Sequence, residues 1–359
     1  GAAVTVNATD PAADTVILAG RSIANARNAG VAALQVQFAA GTVTLDSDAL
    51  AALDLHKDIA VSLTGASVNA AQQRALGSQA SSAVLANASV LVDGAAASYP
   101  GSPQKVCFPL NQEIYGYPAG SVRAGIPVRA ADDLTAWSLA ENGTISAVGG
   151  AWDADRQTYT FDVVSGVTAI ARFPFTDVPA GSWYYGAAAY AYNNGLFAGT
   201  TATTFAPDMT MTRAMLVSVL WRLAGEPAPK GTNTFDDVPN GAWYTDAVTW
   251  AAENGVVAGI GNGRFDPDGS VTREQTAVIL FNYAQSKGYD VSARADLSVF
   301  PDAGSVSGWA QDALAWANAS GLISGAVRGT QTILDPQGSA SRAQVAMILM
   351  GYVEHVVNA

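Results

Sequence analysis

The sequence predicts an α+β chain. An N-terminal half of mixed strands and helices, with a β-sandwich-like part, precedes a mainly helical, pseudo-threefold bundle of three repeats. Three observations carry this. First, Phe175, Asp177, Trp183, Gly195, Gly199, Phe205, Pro207, Thr212 and Arg213 recur 60 residues later as Phe235, Asp237, Trp243, Gly255, Gly259, Phe265, Pro267, Thr272 and Arg273. Self-similarity at a fixed period marks one supersecondary unit used several times. Second, a third copy follows with short insertions, through Asp302, Trp309, Gly321, Gly325, Pro336, Ser341 and Arg342. Third, the segments before Phe173 alternate polar and apolar residues as half-buried strands do. The expected divisions are 1–98 (strands and helices), 99–172 (β-rich), and repeats at 173–231, 232–296 and 297–359.

In the first part, Thr15–Leu18 reads as a strand and Arg21–Asn28 as a helix. Leu34–Phe38, Thr42–Leu45 and Ile59–Leu63 read as further strands. Asp46 or Ser47 can cap a short helix through Leu53, and Ser67 or Asn69 a helix ending near Leu76. Ser82–Leu85 and Ser89–Val92 complete this part. The second part offers Lys105–Phe108, Ser121–Val128, Leu134–Leu139, Gln157–Phe161 and Val167–Phe173 as strands. Asn142-Gly143 marks a turn that accepts positive φ.

Each repeat then reads as two helices. Trp243, Ala247, Trp250 and Ala251 fall at i, i+4, i+7 and i+8. Trp309, Ala313, Trp316 and Ala317 match them, as do Trp183, Ala187, Tyr190 and Ala191; the default meaning of such a face is core. Gly195, Gly255 and Gly321 are placed to end these helices with positive φ. The second helices carry stripes at Leu216, Val219, Leu220, Leu223; at Thr276, Ile279, Leu280, Tyr283; and at Val345, Ile348, Leu349, Tyr352. One helix pair cannot bury its stripe alone, whereas three can close around a shared axis.

Composition narrows function. The 359 residues carry a net charge of −12, with 49% hydrophobic residues, chiefly Ala and Val. Nine basic and 14 acidic residues fall in 1–172, and nine and 16 in 173–359. The absence of a basic block argues against nucleic acid or an anionic membrane surface as a general partner. Val345–Tyr352 is too short to insert in a bilayer. The single Cys107 allows no intrachain disulfide and reads as a half-buried thiol in a strand. His56 and His355 lie in different regions and suggest no catalytic or zinc site. The first residue is Gly and no signal peptide is visible, so the chain reads as a mature or trimmed fragment.

The segments with chemistry are Thr212-Arg213, Thr272-Arg273 and Ser341-Arg342. Thr212, Thr272 and Ser341 stand at helix N-caps. Gln275 and Gln344 can bond back to them, and Met215 cannot. The arginines fall at the first helical position, where free N–H groups and the helix dipole favour an anion. A guanidinium adds a fork matched to a carboxylate, or a structural ion pair with a neighbouring Asp. Two apparent sites fail. Arg264–Gln275, with Arg264 at position one and Gln275 at position twelve, breaks the ligand order of a calcium loop, and Gly259–Gly263 lacks the strand and helix of a dinucleotide site. Asp153 and Asp155 read as turn residues rather than calcium ligands. Asp132, Asp133 and Glu141 are not ordered as a catalytic pair. No catalytic residue, metal or cofactor is expected.

The run Asp-Val…Trp-Tyr…Asn-Gly…Gly…Phe-x-Pro…Thr-Arg resembles the S-layer homology domain, three in tandem over roughly 173–359. Thr42–Leu53, Ile59–Leu76 and Gly149–Phe161 resemble modules that precede such repeats in bacterial surface proteins. The resemblance implies a non-enzymatic, extracellular protein of the bacterial surface layer. It would be anchored without a covalent bond to a peptidoglycan-linked secondary cell-wall polysaccharide carrying pyruvylated amino sugars, with self-association in a lattice as a further implied contact. The alternative is the anchor region of a glycan-active enzyme or adhesin. In this reading Arg213, Arg273 and Arg342 meet a pyruvyl carboxylate. Trp183, Trp243 and Trp309 cover a sugar or serve as core. Asp177, Asp237 and Asp302 accept sugar hydroxyls or cap a turn. Gly199, Gly259 and Gly325 let backbone approach the ligand.

Overall fold

The computed structural model describes residues 3–8, 10–54, 56–93, 122–128, 134–155, 157–164 and 166–358. The chain forms two compact units, Gly1–Pro174 and Phe175–Ala359. Lys105–Phe108 with Cys107, and Asp132 and Asp133, lie outside the described residues.

Unit one is built from β1 (Ala3–Asn7), β2 (Thr15–Leu18), β3 (Ala33–Phe38), β4 (Gly41–Asp46), β5 (Asp58–Gly65), β6 (Val84–Asp93), β7 (Val122–Pro127), β8 (Leu134–Leu139), β9 (Ile145–Val148), β10 (Gly150–Asp153), β11 (Thr158–Asp162) and β12 (Val167–Arg172). One six-stranded sheet runs β1-β3-β4-β7-β11-β10 and the other β2-β5-β6-β12-β8-β9. β1 joins β3 in parallel, and the other pairs are antiparallel. Strand alternation sends Val43 and Leu45, Ile59, Val61 and Leu63, Val122 and Ala124, and Phe161 into one buried cluster fed by both sheets. Each sheet takes strands from before residue 98 and from after residue 121. The expected 98/99 boundary therefore runs through both sheets rather than between units.

The short helices are α1 (Gly20–Asn28), α2 (Ser47–Ala52) and α3 (Ala70–Leu76). Asp46 caps α2, accepting from the Asp48 and Ala49 N–H groups, and Asn69 forms a capping box with Gln72. Two local expectations change. Val84–Leu85 and Ser89–Val92 belong to one strand, β6, because Asn87 does not turn the chain but pairs across the ladder with Thr64. β1, β9 and β10 are additional strands.

In unit two, repeat one supplies α4 (Tyr185–Asn193) and α5 (Arg213–Leu223), and repeat two α6 (Thr245–Glu253) and α7 (Arg273–Lys287). Repeat three supplies α8 (Gln311–Ala319) and α9 (Arg342–Tyr352). It also holds a hairpin, β13 (Ala326–Arg328) with β14 (Gln331–Ile333), at the site of its lengthened spacing. Leu216, Leu220, Thr276, Leu280, Val345 and Leu349 are fully buried, as their stripes require. Gly195, Gly255 and Gly321 follow the first helices at φ 67°, 67° and 71°. The capping boxes at Thr272 and Ser341 form; Thr212 caps α5 without a return bond from Met215.

The helices pack in a cycle: α5 against α6, α7 against α8, and α9 against α4. Three backbone bonds close the same cycle. Met211 N–H donates to Ala340 O (2.9 Å), Ala340 N–H to Val271 O (3.0 Å), and Val271 N–H to Met211 O (2.9 Å). All three residues are fully buried, so each bond is made away from water, where losing a partner is costly. Among the described residues, no helix is long and apolar enough to cross a membrane.

Candidate functional site

The residues singled out in the repeats gather at the junctions between one copy and the next. Each arginine reaches out of its own copy. Arg213 Nε donates to Phe265 O, Arg273 Nε to Leu334 O and Arg342 Nε to Phe205 O, all at 2.8 Å. Arg213 Nη2 also reaches Ala258 O (3.0 Å), and Arg342 Nη2 reaches Ala198 O (2.7 Å). Nη2 of Arg273 is buried without a hydrogen-bond partner. The Arg213 guanidinium lies over the Phe265 ring at 4.7 Å, and that of Arg342 over Phe197 and Phe205 at 5.0 and 4.8 Å. Leu334 replaces the ring at Arg273. Burial lowers the pKa of all three arginines, that of Arg342 to about 10, which leaves Arg342 a cation at neutral pH.

The helix N-termini beside these arginines are not open. The Arg213 and Ala214 N–H groups donate to Gly269 O and Pro267 O of the next copy. Arg273 and Glu274 do the same to Gly338 O and Pro336 O, and Arg342 and Ala343 to Met209 O and Pro207 O. The expectation of free N–H groups awaiting an anion is corrected, because the neighbouring copy's carbonyls take them. Glu274 adds a link found at one junction: its carboxylate accepts from the Ser307 N–H (3.0 Å) and hydroxyl (2.9 Å). This link lay unread in the sequence, where Ala214 and Ala343 hold the matching positions and only Glu274 is charged.

The aspartates hold a loop within their own copy. Asp177 accepts from the N–H groups of Phe205 (2.8 Å) and Ala206 (2.7 Å). Asp237 accepts from Phe265 and Asp266, and Asp302 from Leu334 and Asp335, at 2.8 Å each. Ala206, Asp266 and Asp335 have φ of 57°, 62° and 52°, so the carboxylates fasten a strained turn. Each carboxylate therefore fixes the carbonyl that the arginine of the preceding copy in the ring engages. Burial alone would raise the Asp237 pKa, but the bonds from Phe265, Asp266 and Arg264 outweigh it and hold the group below its usual value. A depressed carboxyl stabilises the fold above its unfolded pKa and loses that contribution as pH falls through its folded pKa. Acid unfolding of the helical unit is thus expected to be shallower below about pH 4 in Asp237→Asn than in the parent. Thermal melts across that range check it, and parallel curves would contradict it.

Gly199, Gly259 and Gly325 are also committed internally. A Cβ on Gly259 would stand 2.6 Å from Arg264 O and 2.9 Å from the Phe235 ring, and on Gly325 2.6 Å from Thr332 Cγ2. At Gly199 it would meet the Phe175 ring at 2.6 Å. The close approach at these glycines is to the chain's own loop. Gly259→Ala should destabilise the unit by about 2 kcal/mol, read as a lower thermal midpoint; an unchanged midpoint would contradict the packing argument.

The tryptophans behave in the opposite way. Trp183, Trp243 and Trp309 are 64%, 60% and 60% exposed, whereas Ala187, Ala247, Trp250 and Trp316 of the same stripes are buried. The helices begin two residues after each tryptophan, which takes the indole off the core face. Trp183 stands edge-on to Tyr184 (5.2 Å, 88°) and Trp243 to Tyr244 (5.1 Å, 89°). The third copy has Ala310 in place of the tyrosine, and Trp309 is as exposed as the others. Ser307, two residues before Trp309, binds the α7 N-terminus, so Trp309 belongs to the Arg273 junction. By the repeat, Trp243 belongs to the Arg213 junction and Trp183 to the Arg342 junction.

The S-layer homology domain matches residues 174–214, 234–277 and 299–346. An endoglucanase of Bacillus sp. (strain KSM-635) is 32% identical over 177 residues, which is 49% of this chain and 18% of that protein. The surface-layer 125 kDa protein of Lysinibacillus sphaericus is 32% identical over 162 residues, 45% of this chain and 13% of that protein. The chain thus matches less than a fifth of the length of these relatives. A solved structure, the undecaheme cytochrome from the S-layer of Carboxydothermus ferrireducens, matches 40% of this chain and 22% of its own at 21% identity. Its TM-score of 0.23 supports no statement about fold.

Proposed function

We propose, from the premise that residues 174–346 are three tandem S-layer homology domains, that the chain anchors a bacterial surface protein non-covalently to a secondary cell-wall polysaccharide. The observation that carries this reading is the indole exposed at the same place in all three copies. A flat ring held in water at a junction is a platform for the apolar face of a sugar. The arginines act one step back, clamping the loops that frame each platform. The carboxylate of a pyruvylated sugar would find its donor at Arg273, whose Nη2 is unpartnered, after a small opening of that junction.

The chain itself is read as non-catalytic. Relatives named as an endoglucanase and an amylopullulanase share only a small part of their length with it. A catalytic segment in a longer polypeptide is therefore compatible with the anchor role. Titration of tryptophan fluorescence with isolated wall polymer, intact and after removal of its pyruvyl groups, tests the ligand. Quenching that weakens at least tenfold on removal is expected; equal quenching would refute the carboxylate, and none would refute the glycan platform.

A further inference from the structure

Unit one carries a groove of about 620 Å³ on the outward face of the sheet containing β4 and β7, within the usual range of about 300–1,000 Å³ for ligand sites. Strand register builds it. Thr42, Gly125 and Thr160 lie opposite one another in one cross-strand row, and Gln35, Thr44 and Arg123 in the next. The alternate residues Val43, Leu45, Ala124 and Phe161 are buried in the core, so this set faces outward. Gly125 forms the floor between two threonines.

A glycine inside a strand weakens it and often marks the close approach of a ligand or another backbone. Nothing described in unit one requires glycine here. Its φ lies outside the left-handed region, and although Gly125 is buried, a Cβ would meet the Thr158 and Thr160 hydroxyls at 3.5 Å and the Thr158 Cβ at 3.9 Å. That is ordinary contact, so the missing side chain serves the groove rather than the packing.

The lining sets the ligand class. Threonine hydroxyls and the Gln35 amide share the lining with the apolar Ala151, Trp152 and Ala154, Arg123 lies 3.4 Å from Asp162, and Asp153 and Asp155 stand at one end. Charges of both signs give no single-signed field for an ion. No group of described residues could hold a metal. We infer that this groove binds a neutral, hydroxyl-rich glycan strand lying across β4, β7 and β11 over Gly125. It is a second carbohydrate site, independent of the repeats.

The test is native affinity electrophoresis of the full chain in gels containing hydroxyethylcellulose, pullulan, glucomannan or polygalacturonate. Retardation by at least one neutral polymer is expected, weakened at least tenfold in Gly125→Val. Valine suits a strand, and Gly125→Ala, whose Cβ makes only ordinary contacts, serves as the second variant; thermal melts establish that each is folded. Thr42→Val/Thr160→Val removes hydroxyls at nearly constant shape and should weaken binding likewise. A Trp183→Ala/Trp243→Ala/Trp309→Ala variant should be retarded as the parent is. The inference is overturned if no neutral polymer retards the chain, if only polygalacturonate does, or if Gly125→Val is retarded like the parent.

Discussion

Arg342→Ala is expected to destabilise the helical unit by about 3 kcal/mol. The substitution leaves the carbonyls of Phe205 and Ala198 without the donors they have now, and an unsatisfied buried acceptor costs about 1–3 kcal/mol. It also removes a cation held over two rings, a contact worth about 0.5–2 kcal/mol. Relief of the buried charge offsets part of this. Because Arg342 bridges the third copy to the first, its loss weakens that junction, which the α9–α4 packing and the backbone bonds still hold. Arg342→Lys should not rescue, since an ammonium can neither fork to two carbonyls nor stack as a plane. The three arginines should also rank. Arg342 and Arg213 each make two side-chain bonds and stack on a ring, whereas Arg273 makes one and stacks on none. Arg273→Ala should therefore cost least. Thermal unfolding followed by helical circular dichroism measures this, and equal midpoints for the parent and Arg342→Ala would remove the clamp.

The largest effect on binding is expected from replacing Trp183, Trp243 and Trp309 together by alanine. The indoles are mostly in water, so little burial is lost and stability should change by less than about 1 kcal/mol. A stacked sugar contributes about 1 kcal/mol per ring. Three platforms on one polymer act together, because the second and third contacts become intramolecular. The combined loss of about 3 kcal/mol corresponds to roughly 100-fold weaker binding. Single variants should show about fivefold each. A triple variant that keeps parental affinity would move the ligand away from the indoles.

The two substitutions separate roles that sequence alone left open. Arg213 at the first turn of a helix reads equally well as an anion ligand or a structural contact. What decides is a carbonyl 52 residues away, Phe265 O, and nothing local announces it. The same holds for Asp237, whose partners lie 28 and 29 residues on. Periodicity placed Trp243 on the stripe of Ala247 and Ala251, yet the helix starts at Thr245; a two-residue shift of the boundary turns a core position into a surface one. The second-helix stripes were legible because 3.6-residue spacing and full burial coincide at Leu216, Leu280 and Leu349. In unit one, alternation revealed most strands. It could not reveal that β7 and β11 complete the sheet begun by β3 and β4, since long-range pairing leaves no local mark.

We propose anchoring to a wall polysaccharide through the exposed indoles of the three copies. Co-sedimentation of the full chain with purified cell walls, before and after acid extraction of their secondary polymers, tests it most directly. The chain is expected to pellet with intact walls and to stay in solution with extracted ones. The folded triple tryptophan variant should stay in solution with both. Binding that survives extraction, or a triple variant that pellets like the parent, would contradict it.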